Sequence, residues 1–384
     1  MPNIIGALYD HADVIIPVVT SESEWFVEPL CKSLAATNLK VSIEQPAKIV
    51  PYDLKDCIDS FRNLAKKHNR ACFNWTGGTK IMSYGARFVA ESEKARAIYL
   101  IGNSTEILIE DFLHNTQDVH IISSTELGLN ALSYLLAAGH TVKDALNLKE
   151  FQKRYRPADE LIVAANAIMD ATQAERRDIF LLANAENHPV SPRKLNKYFL
   201  QILCKAHLIQ PSKNPGEYYL NYDSLMPSSF MESPQQANAR FLCASFLEVF
   251  LWSQLVQRSG CDEVAWGVQL NPGQVGKSME IDLLVAGETR LIVIEAKLSS
   301  DLHNLTDLIE EQHARCNRIA GKNGRWILYI HKFKGEFMNE GDSSRIASAE
   351  ARARNFGGLL LWHDNLEELP AKVCSILSET SFSI

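Results

Sequence analysis

Apolar and polar positions along the first third of the chain switch between two periods. Val14 to Val19, Val41 to Ile43, Ala71 to Asn74 and Ala97 to Ile101 read as strands, and Glu24 to Leu34, Leu54 to Lys67 and Ile81 to Glu91 carry helical spacing between them. Strand alternating with helix predicts a mainly parallel sheet with helices on both faces. Thr105 to Glu110 and Val119 to Ile122 then read as an antiparallel addition at one edge. From about residue 126 the period is helical, with Leu127 to Ala138, Ala158 to Met169 and Glu175 to Ala183, a turn at Asn187-His188-Pro189, and a further helix led by Ser191 and ending at Ala206. Pro211 to Tyr222 reads as a small hairpin, so that helix, turn, helix and hairpin together predict a winged-helix module.

A stretch rich in Ser, Pro and Gln, Pro227 to Gln236, marks the next boundary. Beyond it come a helix from Phe241 to Val256 and three strands, Glu263 to Leu270, Met279 to Leu283 and Leu291 to Lys297. A helix from Thr306 to Ala320, a strand Trp326 to Ile330, a helix Ser344 to Asn355 and a strand Gly358 to Trp362 complete the pattern. The chain is thus read as an α/β multidomain protein divided at 1–125, 126–232 and 233–384, which suits its 384 residues.

A formal charge of -7 gives no general pull toward nucleic acid, so such a partner requires a local basic surface. The eight cysteines form no C-x-x-C pair, which points to reduced thiols of a cytoplasmic protein rather than a disulfide frame or a zinc site. The N-terminus lacks a basic start followed by an apolar run, and no stretch reads as long enough to cross a bilayer; no membrane partner is expected.

Chemistry concentrates in two places. In Met279-Glu280-Ile281-Asp282-Leu283 and Val293-Ile294-Glu295-Ala296-Lys297, charged and aliphatic residues alternate, so Glu280 and Asp282 share one face and Glu295 and Lys297 another, with a hairpin turn at Gly287-Glu288. Carboxylates plus one ammonium at a strand end suit a hard divalent cation and a lysine that orients water; the competing reading is the wet face of an amphipathic hairpin. Glu248 is the lone carboxylate of the apolar helix Phe241 to Val256 and is expected to aim at this site. Gln312, Arg315 and Arg318 lie one turn apart on the following helix, as a phosphate-binding surface or a solvated face.

The second place is Asn74-Trp75-Thr76-Gly77-Gly78-Thr79-Lys80, joining a buried strand to a helix. Adjacent glycines admit a ligand close to the backbone, helix-start amides favour an anion, and Thr76, Thr79 and Lys80 add donors. The spacing is not that of a Walker A loop. Thr20-Ser21-Glu22-Ser23 is a weaker companion loop, equally readable as a serine N-cap.

Taken together, Glu248, Glu280-Ile281-Asp282 and Glu295-Ala296-Lys297 resemble the PD-(D/E)XK nuclease core, and the Thr-Gly-Gly-Thr-Lys loop resembles the signature of CARF domains. In this order, around a winged-helix-like middle, they resemble the CARF-nuclease effectors of type III CRISPR systems over nearly the whole chain. The resemblance implies a Rossmann-like CARF sensor domain, a winged-helix-like helical middle and a C-terminal restriction-endonuclease-like domain. It also implies a homodimer whose paired sensors bind a cyclic oligoadenylate, commonly the tetramer, and thereby switch on metal-dependent cleavage of DNA, RNA or both. Carried over by position, Asp282 and Glu295 match the metal ligands for Mg²⁺ or Mn²⁺, joined by the Ala296 carbonyl and Glu248. Lys297 matches the catalytic lysine and Thr76 to Lys80 the nucleotide loop, with Thr20 and Ser21 of the companion loop expected as further ligand contacts. The family's sensor begins with a complete strand and helix, whereas only Asn3 to His11 precede Val14 here. Two rivals remain: a non-catalytic nucleotide-sensing winged-helix DNA-binding regulator, and a constitutive restriction-type nuclease whose first domain is a dimer scaffold.

Overall fold

The computed structural model describes residues 2–37, 40–68, 70–101, 106–122, 127, 129–142, 156–185, 188–226, 233–258, 263–272, 279–287, 290–298, 304–321, 324–331 and 340–378. Residues 227–232 of the expected boundary and the turn residues Asn187 and Glu288 lie outside this set.

The chain opens with a helix, α1 (Pro2–Tyr9), which buries Ile4, Ile5 and Leu8. The first expected strand is two short ones, β1 (Val14–Ile15) and β2 (Val18–Val19), because Pro17 between them has no N–H to give a ladder. After α2 (Val27–Ala35), β3 (Ser42–Ile43) pairs parallel with β1 and β4 (Ala47–Lys48) parallel with β2. Next come α3 (Leu54–Lys67), β5 (Cys72–Asn74), α4 (Lys80–Ser92) and β6 (Arg96–Leu100). Then β7 (Glu106–Asp111) and β8 (Thr116–Ile121) extend the sheet β5-β6-β7-β8. Its β5–β6 pair is parallel and the last two pairings are antiparallel, as expected for that edge.

One continuous parallel sheet, however, does not form among the described residues. Between the β1–β2 run and β5 lies a cavity of about 1220 Å³, lined by Val14 to Thr20 on one side, by Phe73 and Asn74 on the other, and by Asn3 and Gly6 of α1 with Asp10 just after it. α3 and α4 lie against each other closely enough that a Cβ on Gly85 would stand 3.2 Å from Cys57 Cβ.

The next stretch supplies α5 (Ala131–Ala137), later in starting than expected because Asn130 caps it, and β9 (His140–Val142). Among the described residues three helices follow, α6 (Asp159–Met169), α7 (Gln173–Ala183) and α8 (Lys197–Lys205), and then the antiparallel pair β10 (Ile209–Pro211) and β11 (Tyr218–Leu220).

A long helical run begins with α9 (Pro234–Arg240), passes through a π-helical turn at Phe241–Ser245, and continues as α10 (Phe246–Arg258). Its Pro234–Gln257 portion is long and apolar enough to cross a membrane, contrary to the sequence expectation. Here it is packed among protein, with Leu247, Val249, Leu251 and Leu255 fully buried against α6 and the sheet.

The remaining elements are β12 (Val264–Pro272), β13 (Met279–Ala286), β14 (Leu291–Lys297), α11 (Leu305–Ala320), β15 (Arg325–Ile330), α12 (Glu340–Asn355), β16 (Gly358–Trp362) and α13 (Leu369–Ser378). They build a six-stranded sheet in the order β16-β15-β14-β13-β12-β9. β14, β15 and β16 run parallel, linked by α11 and α12, while β12, β13 and β14 are antiparallel neighbours. Helices cover both faces, which is why the strands are continuous aliphatic runs. Ile292, Ile294, Ile327 and Tyr329 meet α6, α10 and α13, and Val293, Leu328 and Ile330 meet α11 and α12. The edge strand β9 comes from far upstream, pairing Val142 with Leu270.

Candidate active site

Backbone geometry opens the sheet where the charges collect. The β13–β14 ladder runs from Ala286–Leu291 to Leu283–Ile294 and stops one pair short of Asp282 and Glu295. There the Asp282 carboxylate substitutes for a strand carbonyl, its Oδ2 accepting the Ala296 N–H at 2.8 Å. On the other side the β12–β13 ladder skips Gly267, whose φ of 60 lies in the left-handed region. β14 meanwhile stays paired with β15 through Lys297–Ile330. The carboxyl end of β14 is thus left with a notch on its β13 side.

Glu295 is 7% exposed and fully engaged. Its Oε1 is 2.6 Å from Lys297 Nζ and its Oε2 is 2.5 Å from Arg315 Nη1 on α11. Glu248, in the first turn of α10, accepts a hydrogen bond from Trp266 Nε1 at 2.9 Å. Burial, and then the Asp282 charge, hold the Glu248 carboxyl well above the usual carboxylate range. Burial and then the neighbouring Glu295 charge push the Asp282 carboxyl up to about 7. For the Lys297 ammonium, burial pulls the pKa down, but the Glu295 charge and hydrogen bond outweigh it and leave it raised. Glu280 stands slightly apart, 3.5 Å from Arg240 Nη1.

The expected Glu248, Asp282, Glu295 and Lys297 are therefore brought into one electrostatic neighbourhood. Among the described residues no group of three or more His, Cys, Asp or Glu side chains is arranged as a finished metal site. The donor set nevertheless suits a hard cation: all the side-chain donors are oxygens, and burial keeps the Glu248 and Asp282 carboxyls raised despite Arg240 beside the first and Lys297 and Arg315 beside the second. Lys297 and Arg315 occupy the Glu295 oxygens that such an ion would use.

The expected basic surface on α11 divides differently. Leu305, Ile309, Gln312, Cys316 and Ile319 form its buried stripe, so Gln312 lies inside, 3% exposed, with Nε2 lacking a hydrogen-bond partner. Arg315 serves Glu295, and only Arg318 stands at the exposed rim, its Nη1 3.9 Å from Met279 Sδ. Sequence spacing alone held the signal: positions 305, 309, 312, 316 and 319 repeat with the period of a buried helical face.

At the other end of the chain, both expected loops border the large cavity. Thr20, Ser23, Gly77, Gly78 and Thr79 line it, while Ser21 and Lys80 are exposed beside it. Much of the loop chemistry also holds the fold together. Thr20 N–H donates to Ser23 Oγ at 2.9 Å, and Thr76 Oγ1 accepts the Leu100 N–H at 2.8 Å. Thr79 caps α4 through Met82 N–H and donates to the Pro51 carbonyl at 2.7 Å. Gly78 has φ +87, and a Cβ on Gly77 would meet Asn3 Oδ1 at 3.2 Å. Asn3 and Ser83, which donates to the Gly77 carbonyl, are cavity residues that the sequence reading missed.

No protein-family model and no curated protein matches the chain. Solved structures do. Can2 from Sulfobacillus thermosulfidooxidans, in complex with cyclic tetra-adenylate, superposes with a TM-score of 0.64 at 17% identity, covering 98% of this chain and 96% of that one. The protein VC1899 from Vibrio cholerae gives 0.65 at 16%, covering 98% and 95%. The chain shares its fold with both. A type III CRISPR defence DNA nuclease activated by cyclic oligoadenylate gives 0.55 at 17%, with 87% of this chain matching 44% of that longer one. At these identities the likeness is one of fold, a mixed α/β architecture that runs the full length of Can2.

Proposed function

We propose that the chain is a metal-dependent endonuclease controlled by a cyclic oligoadenylate, most simply the tetra-adenylate, with a Rossmann-like CARF sensor over 1–125, a winged-helix-like middle over 126–232 and a PD-(D/E)XK nuclease unit over 233–384. The observation that carries the reading is the gathering of Asp282, Glu295, Lys297 and Arg315 around the carboxyl end of β14, where the ladder to β13 opens. The fold shared with Can2, itself solved with cyclic tetra-adenylate, supports the ligand assignment.

Asp282, Glu295 and the Ala296 carbonyl are the groups to hold Mg²⁺ or Mn²⁺, with Glu248 closing the site. A bound ion supplies Lewis-acid polarisation of a phosphate oxygen and a lowered pKa for water beside it. The Lys297 ammonium, held by Glu295, orients the attacking water and offsets charge that develops on the phosphate in the transition state. Arg315 fixes the Glu295 carboxylate from the opposite side, and Trp266 fixes Glu248. The Thr20 and Gly77 to Thr79 loops, with Lys80 exposed next to them, form the messenger site. A homodimer belongs to this reading; Tyr84 and Phe88, exposed and stacked at 6.3 Å on α4 directly after the glycine loop, support a protein contact there. A cytoplasmic location also belongs to the proposed reading.

Incubation with Mn²⁺ and either supercoiled plasmid or single-stranded RNA, with and without cyclic tetra-adenylate, tests this. Cleavage should require metal and rise with the messenger, and Glu295→Ala and Lys297→Ala should each abolish it in a folded protein. Binding of duplex DNA with no cleavage under any metal would favour the regulator instead, and cutting indifferent to the messenger would favour the restriction-type nuclease.

A further inference from the structure

The acidic chain contains, in its middle third, a long stretch without a carboxylate. From His188 to Gly216 there is no Asp or Glu, while Arg193, Lys194, Lys197, Lys205 and Lys213 all fall within it, and all of them are exposed. Among the described residues none of these cations has a carboxylate partner. This is not the usual surface, on which lysines and glutamates are interspersed and pair off.

In the structure the stretch comprises the lead-in to α8, α8 itself and most of the β10–β11 hairpin. α8 buries Phe199, Leu200 and Leu203 and turns Lys197, Tyr198 and Lys205 outward. Its entry is rigid: Asn196 caps the helix through Phe199 N–H, and the Lys194 N–H donates to the Asp178 carboxylate of α7 at 2.5 Å. Tyr198, 71% exposed, projects from the first turn. The β10–β11 hairpin follows, with Lys213 near its tip and Gly216 in the left-handed region to close the turn.

From this geometry we infer that α8 and the β10–β11 hairpin form a duplex-DNA binding surface, separate from the cluster at β14. The cations neutralise phosphates, the outward face of α8 enters the major groove, and Lys213 reaches the backbone alongside. Duplex DNA is favoured over RNA by size. A helix is roughly 10–12 Å across with its side chains, matching the roughly 12 Å major groove of B-DNA; the deep, narrow groove of A-form RNA does not admit it. Mechanically, α8 packs on α6, and α6 on α10, the helix of Glu248, so the surface is built on the same scaffold as the cluster. The inference extends the nuclease reading by naming how substrate is held, and binding is separable from hydrolysis.

Fluorescence anisotropy on the full chain carrying Lys297→Ala, with chelator present and a duplex of roughly 20 base pairs, reads binding alone. Adding Lys194→Glu and Lys197→Glu should weaken binding at least roughly tenfold at about 50 mM salt and reduce the slope of log K against log salt by about 2. Lys213→Glu, in a loop outside the packed core, should reduce the slope by about 1; if the double variant melts early, this one decides. Unchanged affinity and slope, or equal losses with single-stranded RNA as probe, overturns the assignment. A chain that binds through α8 but cuts nothing sinks the nuclease reading alone, and cleavage with binding insensitive to these substitutions sinks only this inference.

Discussion

Replacing Asp282 with asparagine isolates the cost of crowding carboxylates at the end of β14. Its folded pKa is about 7, raised by burial and by Glu295, against roughly 3.9 in an unfolded chain. Between these values the folded protein holds more protons than the unfolded one, so stability falls as pH rises through the window and the loss is complete above the folded pKa. Three units at about 1.4 kcal/mol each set an upper limit of about 4 kcal/mol, shared with the coupled Glu248. Asparagine keeps an oxygen for the Ala296 N–H, 2.8 Å away, and brings no charge to desolvate. Asp282→Asn should therefore match the parent near pH 4 and exceed it by about 2 to 4 kcal/mol near pH 8, while losing hydrolysis. Urea unfolding at a series of pH values, followed by tryptophan fluorescence, measures both curves. Mn²⁺ should restore the parent, by about 2.7 kcal/mol at a hundredfold excess over its Kd, and leave the variant unmoved. A variant that tracks the parent at every pH, or is the less stable of the two at pH 8, refutes the reasoning.

Two further outcomes follow from the same geometry. Arg315→Ala removes a charge-assisted hydrogen bond to a buried carboxylate and should cost about 1.5 to 3 kcal/mol, together with a more than roughly tenfold loss of nicking; urea midpoints and a plasmid assay check the pair. Gly78→Ala places a side chain at φ +87 and 3.1 Å from Met82 Cε, so urea midpoints should show the folded state destabilised by roughly 1 to 2 kcal/mol of backbone strain.

Local order was legible where a residue's own neighbours determine it. α3 occupies Leu54–Lys67 as its periodicity predicts, and Thr79 begins α4 as a threonine before a helix should. The charges of Asp282, Glu295 and Lys297 announced themselves by interrupting an aliphatic run. What escaped depended on distant partners or on single atoms. β9 gains its place only by pairing with β12. Pro17 split a strand for want of one hydrogen. Arg315 and Gln312 read as surface by their polarity, whereas Glu295 and the core, reached from the inner side of α11, set their roles.

The π-helical turn at Phe241–Ser245 sets the angle from which Glu248 looks at the sheet. Each residue of an α-helix advances the side chains by about 100°, so a wide turn acts as a fixed rotation of all that follows it. Deleting one residue there would let the run close as ordinary α-helix with Glu248 kept in phase, whereas winding the same residues as α-helix at unchanged length would swing Glu248 by about 100° out of line with Trp266, without touching a single charged group. The aim of this carboxylate is thus written one turn upstream, in residues that carry no chemistry themselves.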